Sequence, residues 1–200
     1  MASLLHIDTS IKGPQSVSRR LTARAADRWR AAHPDGDVHY RDFAADPVPH
    51  LDADGLLAPD RSLALIDEIK QADTVLLGLP LYNFGAPSTV KAWVDHLIVP
   101  GVSFDPESGQ GLLGDTELVV LAARGGGYGP GTPRAGWDHA EAWLPHGLSM
   151  TGLVPRFITA ELTLADENPA MADLRPLAAQ SLAAAEAAVD ALWTPATVGA

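Results

Sequence analysis

Short apolar segments alternate along the chain with longer segments in which apolar residues recur at helical spacing. Continuous apolar runs predict strands, and five are found, at residues 4–7, 38–40, 74–79, 118–123 and 156–160. The runs at 74–79 and 118–123 are unbroken, which is typical of parallel strands covered on both faces. Strands that alternate with helices in this way predict a parallel sheet with helices on both sides.

Local signals mark where the helices begin and end. The first helix is predicted to start at Ser16 and to stop before Pro34. Four further helical segments are expected: one at 63–69, one opened by Pro87, one at 135–148 and one at 171–192. Residues 42–60 hold several prolines and aspartates and show no period, so a long loop is expected there.

Five strands in 200 residues favour the smaller type of doubly wound α/β fold. We expect a single domain over residues 1–200, with residues 193–200 as a loose tail. In this fold a ligand lies beyond the carboxyl ends of the strands, where the strand order reverses. Binding residues are therefore expected in the loops that follow the apolar strands.

Composition narrows the classes of function. The chain has 14 basic and 25 acidic residues and a net charge of −11, which argues against nonspecific binding to nucleic acid. It has no cysteine, which excludes disulfides, cysteine-ligated zinc, iron–sulfur clusters and thiol catalysis. It contains neither a run of about 18 apolar residues nor a signal-peptide pattern, so we expect a cytoplasmic protein without a membrane partner.

The first candidate loop joins the first strand to the first helix and contains Ser10, Ser16, Val17 and Ser18. Hydroxyls and backbone N–H groups at a helix N-terminus favour an anion such as phosphate. The structural alternative is that Ser16 is only a helix cap. The loop lacks G-x-x-x-x-G-K-[ST] and G-x-G-x-x-G, which disfavours a nucleoside triphosphatase and weakens a dinucleotide-binding interpretation.

Two further loops follow the strands at 74–79 and 118–123. Residues 80–87 combine aromatics, an amide and small residues, which suits contact with a planar ring, unless they form an ordinary turn. Residues 123–127 include three consecutive glycines, which permit positive φ and a close approach of ligand to main chain, although a flexible loop has the same composition. A phosphate at the first loop and a planar heterocycle between the other two fit flavin mononucleotide (FMN).

Residues 80–84 and 88–95 resemble the signature of the FMN-dependent NADH-azoreductases, which are flavodoxin-like quinone reductases. Residues 101–104, residues 123–126 and the serines of the first loop also stand where that family has its motifs, and the similarity covers most of residues 1–192. The resemblance implies a flavodoxin-like sheet of order 2-1-3-4-5, one FMN per subunit and a homodimer with the flavin at the subunit interface.

The resemblance also implies roles for individual residues. The phosphate would be held by Ser10, Ser16, Val17 and Ser18, the isoalloxazine ring would be lined by Leu81, Tyr82, Asn83 and Phe84, and its pyrimidine edge would be covered by Ala123, Arg124, Gly125 and Gly126. An apolar helical stripe is expected near the two-fold axis; its members are Val90, Trp93, Val94 and Leu97.

Two departures from the family pattern are visible. Ala123 stands where family members often have serine, so one hydroxyl contact is missing. Residues 51–67 form a shorter stretch than in well-known members. Because that stretch borders the pocket in the family, it bears on the preference for substrate and for NADH or NADPH.

The implied activity is a two-step, ping-pong reduction in which NADH or NADPH gives a hydride to FMN and a quinone or azo compound then takes it. The flavin carries the chemistry, so no catalytic side chain is predicted. Two other hypotheses are an electron carrier that docks its acidic surface on a protein partner and a flavin-free regulatory relative. His139 and His146 lack a third metal ligand, and no G-x-S-x-G elbow supports a hydrolase, so neither a metal site nor hydrolysis is expected.

Overall fold

The computed structural model describes residues 1–193, and its centre is one sheet of five parallel strands. The strands are β1 (Ser3–Asp8), β2 (Asp37–Asp42), β3 (Thr74–Pro80), β4 (Glu117–Ala123) and β5 (Pro155–Ala160). Their order in the sheet is β2-β1-β3-β4-β5, and His6 lies beside Leu76, which lies beside Val119. Each predicted apolar run lies within one observed strand, and the predicted strand order is confirmed.

Helices cover both faces of this sheet. They are α1 (Val17–Ala32), α2 (Ala53–Leu57), α3 (Asp60–Lys70), α4 (Ser88–His96), α5 (His139–Leu148) and α6 (Arg175–Asp190). Helix α1 begins where it was predicted, because the Ser16 side chain accepts a hydrogen bond from the Arg19 N–H. Within residues 1–193, no helix has the length and apolar character needed to cross a bilayer.

Two predicted helices start later than expected. Helix α5 begins at His139 rather than at 135, because the Asp138 side chain accepts hydrogen bonds from the N–H groups of Ala140 and Glu141. The last helix begins at Arg175, and the residues before it, Pro169–Leu174, form a separate 3₁₀ turn. Pro176 stands in the first turn of α6, where a proline favours a helix start.

The expectation of one long loop over residues 42–60 is wrong, because part of this segment is helical. The segment contains helix α2, which the Asp52 side chain caps by accepting a hydrogen bond from the Gly55 N–H. It also contributes Phe43 and Val48 to the core, because both side chains are buried. Residues 194–200 of the expected tail lie outside the described residues. Trp193 is tied to the fold, since its indole N–H donates a 2.9 Å hydrogen bond to Glu117.

The core consists of two apolar layers, one on each face of the sheet. Val75 and Leu77 face the layer that holds α3, α4 and α5, whereas Leu76 faces the layer that holds α1 and α6. Because both faces are covered, every position of β3 is buried, which accounts for its unbroken apolar sequence.

The apolar stripe on α4 belongs to this core. Its four members, Val90, Trp93, Val94 and Leu97, are at most 2% exposed within a single chain. The stripe therefore packs on the chain's own sheet and offers no surface to a second chain, while the position of this part of the molecule near a two-fold axis stays a prediction. The oligomeric state itself stays a prediction.

Candidate functional site

A cleft of about 180 Å³ opens at the carboxyl ends of β1, β3 and β4, and all three predicted loops reach it. This is where strand order reverses, because β2 lies on one side of β1 and β3 on the other. Seven of the predicted residues line the cleft: Ser10, Ser16 and Val17 from the first loop, Leu81 and Tyr82 from the second, and Ala123 and Gly125 from the third.

The first loop meets the cleft at the N-terminus of α1. The Ser16 side chain caps the helix, as the structural alternative proposed, and it also lines the cleft. Ser18 does not line the cleft; it is fully buried, and its hydroxyl lies 3.0 Å from that of Ser16. The first turn of a helix leaves N–H groups without partners within the helix, and they favour an anion. Capping and anion binding are therefore compatible here.

A buried polar network stands behind this loop. The Arg19 guanidinium donates hydrogen bonds of 2.7 and 3.0 Å to the Ser10 carbonyl and one of 2.7 Å to Asp42. The Asp42 hydrogen bond raises the pKa of Arg19, and Arg19 lowers the pKa of Asp42. Arg19 thereby fixes the main chain of the first loop from the side opposite to the cleft.

Asp8, at the end of β1, is the second anion of the network. It is buried, and its carboxylate accepts hydrogen bonds from Thr22 at 2.7 Å and from the Tyr40 hydroxyl at 3.0 Å. Burial, followed by the charge of Asp8, raises the pKa of Tyr40 to about 12. His6 shares a sheet face with Asp8, and its Nε2 lies 3.6 Å from the carboxylate.

The second loop is a tight turn with an unusual backbone. Tyr82 and Gly85 exchange main-chain hydrogen bonds of 3.0 and 2.9 Å. Between them, Asn83 and Phe84 have φ values of 48° and 66°. Two successive positive φ values are typical of a type I′ turn, and they strain a phenylalanine. This turn directs Asn83 and Phe84 away from the lining of the cleft. Asn83 with Gly85 was the available signal for such a turn.

The third loop packs closely against another part of the protein and makes no sharp turn at its three glycines. None of Gly125, Gly126 and Gly127 has a positive φ, so the expectation of left-handed backbone there is wrong. Gly125 is required by close approach instead: a Cβ at this position would lie 2.7 Å from Leu164 Cδ1. Gly126 does not line the cleft, and a Cβ there would meet the Tyr128 hydroxyl at 3.4 Å.

Arg124 turns its side chain away from the cleft. Its guanidinium lies 2.6 Å from Asp138 and 2.9 Å from Glu161, and it also contacts Glu141. Its main chain is engaged as well, because the N–H donates to Ala160 and the carbonyl accepts from Thr163. Arg124 therefore joins the ends of β4, β5 and α5, and its side chain is not a contact for a ligand in the cleft.

Several lining residues were missed because the loop after β5 was not considered. Thr163, Leu164 and Glu167 from that loop form one wall of the cleft. Across its mouth, the Lys12 ammonium lies 3.0 Å from the Glu167 carboxylate. The rule that drew attention to the other three loops applies equally to β5 and would have found this wall.

Comparison with known proteins gives results in agreement with this architecture. A model of the flavodoxin-like fold family matches residues 2–188. A protein of Frankia alni named FMN-dependent NADH:quinone oxidoreductase is 42% identical over 96% of this chain and 98% of its own length. One of Streptomyces coelicolor with the same name is 44% identical over 88% of this chain and 87% of its own.

Solved structures share the fold. An azoreductase from Bacillus anthracis superposes with a TM-score of 0.80 at 20% identity, covering 96% of this chain and 99% of its own. An FMN-dependent NADH-azoreductase of the same species, solved in complex with FMN, superposes with a TM-score of 0.76 at 18% identity, covering 96% of this chain and all of its own.

Proposed function

We propose that this chain, which belongs to the flavodoxin-like family and within it to the FMN-dependent NADH:quinone oxidoreductases, binds FMN in the cleft and passes electrons from NADH to a quinone. Azo compounds are a second class of acceptor in this proposal, because solved structures with the same fold are named azoreductases. The observation that carries it is the meeting of a capped helix N-terminus and an apolar floor in one cleft at the switch point of the sheet.

The phosphate of FMN fits the N-terminal end of α1. Ser10, Ser16 and Val17 supply two hydroxyls and backbone N–H groups there, and Lys12, whose ammonium pairs with Glu167, also lines the cleft. Ser18 acts through Ser16, because its hydroxyl lies 3.0 Å behind the cap. This donor set is what a phosphate requires, since each oxygen accepts several hydrogen bonds.

The ring system fits the apolar part of the cleft. Leu81 and Tyr82 form part of this lining, and Ala123, Gly125 and Leu164 add further apolar surface. Asn83 and Phe84, which the family resemblance also assigns to the ring, lie in the adjacent turn and do not line the cleft of a single chain. Arg124 and Gly126 shape the loop beside the ring through their main chain and make no side-chain contact with the ring in this proposal.

FMN, when bound, would supply the redox chemistry, by which a hydride from NADH and one proton from water would together reduce a quinone to the hydroquinone. This chain's residues would hold the cofactor. The cleft of one chain is open to solvent, so water would serve as the source of protons. Donor and acceptor use the same opening in turn, which gives ping-pong kinetics. NADPH is a second donor to be compared with NADH, and a cytoplasmic location, where both donors are available, is part of the proposal.

A second copy of the chain completes the site in this proposal. The cleft of one chain encloses about 180 Å³, less than the roughly 300 Å³ at which typical ligand pockets begin. One chain therefore covers only part of a bound FMN, and a symmetric partner is the simplest cover for the rest. Light scattering should find a dimer, and specific activity should fall when dilution dissociates it. A monomer with full activity would rule out the shared site but not the flavin.

The test of the function is reconstitution followed by turnover. The purified chain should bind FMN with near one-to-one stoichiometry and oxidise NADH when a simple quinone is added, with parallel double-reciprocal lines. A chain that takes up no FMN would be the flavin-free relative. A chain that binds FMN but turns over only with a protein partner would be the electron carrier. Lines that intersect would indicate a ternary complex and reject the ping-pong mechanism.

A further inference from the structure

A small patch of aromatic rings lies beside the cleft, and an arginine covers part of it. We call it the Arg134 patch; its members are Phe84, Tyr128, Arg134 and Trp137. The rings of Tyr128 and Trp137 meet Phe84 edge-on, with centroids 6.1 and 5.2 Å away. The Arg134 guanidinium lies 5.5 Å from the centre of the Phe84 ring. Three side chains of the loop between β4 and α5 therefore converge on one phenylalanine of the loop after β3.

The patch is accessible and carries uncompensated positive charge. Trp137 is 50% exposed, and Arg134 is exposed as well. Two other cations lie over aromatic rings, Arg41 and Lys91, and each is also paired with a carboxylate. Arg134 forms no ion pair with any carboxylate of residues 1–193, although the chain has 25 acidic residues. An unpaired cation beside the exposed Trp137 ring is a binding feature for an aromatic anion.

The main chain connects the patch directly to the cleft. Phe84 is part of the turn that Tyr82 begins, and Tyr82 lines the cleft. The Phe84 carbonyl accepts a 2.9 Å hydrogen bond from the His139 N–H, which attaches the turn to the start of α5. Phe84 has a positive φ, its ring contacts Trp137, and it is not among the residues that line the cleft.

We propose that the Arg134 patch selects electron acceptors whose planar ring carries a carboxylate or sulfonate bonded directly to it. This rests on the proposed quinone reductase function and adds to it a class of preferred acceptor. The exposed Trp137 ring provides a surface for the acceptor's ring, and the adjacent guanidinium pairs with its anionic substituent. In NADH, a ribose separates the phosphates from the nicotinamide ring. A cation that lies on the protein's aromatic rings therefore fits an acceptor with an anion bonded to its ring better than it fits NADH.

The test compares two acceptors that differ in one charge. We suggest a 1,4-naphthoquinone with a carboxylate on its second ring and the methyl ester of the same compound, each at saturating NADH. In Arg134→Gln holoenzyme, kcat/KM for the carboxylate should fall about tenfold, mainly through KM, and that for the ester should stay within about twofold. Arg134→Lys should retain part of the preference, because it keeps the charge but loses the planar fork.

The control variant and a binding measurement separate charge pairing from other causes. Arg156→Gln removes an arginine at the opposite end of the sheet that also forms no ion pair within residues 1–193. It should leave kcat/KM unchanged for both the carboxylate and the ester. Naphthalene-2-sulfonate, which accepts no electrons here, should bind oxidised wild-type holoenzyme more tightly than naphthalene-2-sulfonamide does, and Arg134→Gln should abolish the difference.

Each other outcome has a definite meaning. An equal fall for both acceptors, no fall for either, or a fall only in kcat/KM for NADH would overturn the selective role of Arg134. If neither quinone oxidises the reduced wild-type enzyme, the proposed function fails before the patch is in question. If Arg134→Gln loses FMN, the patch belongs to cofactor binding, and the selectivity proposal is rejected.

Discussion

The Tyr82 hydroxyl lies 3.1 Å from the Ser10 hydroxyl, although 72 residues separate them in the chain. The same Tyr82 oxygen accepts a 3.1 Å hydrogen bond from the Ile11 N–H. Tyr82 belongs to the loop after β3 and Ser10 to the loop after β1, so one side chain joins the expected ring-binding and phosphate-binding loops. Placing FMN in this cleft makes that junction important for its affinity.

Tyr82→Phe should weaken FMN binding about tenfold, because it removes the hydroxyl that orients Ser10 and Ile11. Fluorescence titration of the apoprotein measures the change. Ser149→Ala removes a hydroxyl that bonds within the end of α5, far from the cleft, and should leave the affinity unaltered. Unchanged affinity in Tyr82→Phe would mean that the loops are held together by other contacts.

Ser16 can be tested for its two roles separately. Ser16→Asp keeps a good helix cap, so the free energy of unfolding of the apoprotein should change by less than about 0.5 kcal/mol. The added carboxylate should repel a phosphate and lower FMN affinity by more than about a hundredfold. Replacing Ser16 and Ser18 by alanine should cost about 1 kcal/mol of stability from the lost cap and two decades of affinity. Normal FMN affinity in Ser16→Asp would show that the phosphate lies elsewhere.

Arg19→Lys should reduce FMN affinity by about tenfold while leaving the protein folded. Lysine keeps the charge near Asp42 but cannot make both hydrogen bonds to the Ser10 carbonyl, so the first loop is less well ordered. The matched control is Arg24→Lys on the same helix, where the arginine pairs with Asp190 on the surface. If both variants bind FMN like the wild type, the Arg19 contacts serve folding alone.

Gly125→Val should lower FMN occupancy more than it lowers apoprotein stability. A Cβ at Gly125 would come within 2.7 Å of Leu164 Cδ1, and Leu164 also lines the cleft, so the side chain would be displaced into the binding space. Adding Leu164→Ala makes room and should restore part of the occupancy. A variant that keeps its full flavin but loses thermal stability would assign Gly125 to packing only.

Tyr40→Phe should destabilise the apoprotein by about 1–3 kcal/mol at pH 7, because buried Asp8 loses a hydrogen-bond donor. The pKa of Tyr40 in the fold is about 12, above the ordinary value near 10. Between pH 10 and 12 the unfolded chain loses this proton while the folded chain keeps it, so the contribution of Tyr40 is complete below pH 10 and is lost as pH rises through 12.

Urea unfolding at pH 7, 9, 10 and 11 checks this expectation. The difference in stability between wild type and Tyr40→Phe should be constant up to pH 9 and shrink above pH 10. Tyr128→Phe is the control, because its hydroxyl makes no hydrogen bond within residues 1–193. A difference that stays constant to pH 11 would contradict the raised pKa.

Some predicted site residues lie at the cleft and others do not. The difference depends on whether a residue is placed by its position in the chain or by contacts with distant residues. Ser10 and Leu81 come within two residues of a strand end, and the rule about strand ends places them at the cleft. Arg124 was expected at the flavin from the family resemblance, but its side chain pairs with Asp138 and Glu161. Position along the chain indicates which end of the sheet a residue occupies but not the direction of a long side chain.

The sequence alone determined the parallel sheet, its strand order through the family motifs, and the start of α1. These depend on local periodicity, on caps and on the requirement that a strand covered on both faces be apolar throughout. The tertiary structure decided the contact of Tyr82 with Ser10, the approach of Leu164 to Gly125 and the grouping of Arg134 with Phe84. Each of these joins loops that are distant in sequence, and their separation is set by the packing of strands and helices, which no local pattern encodes.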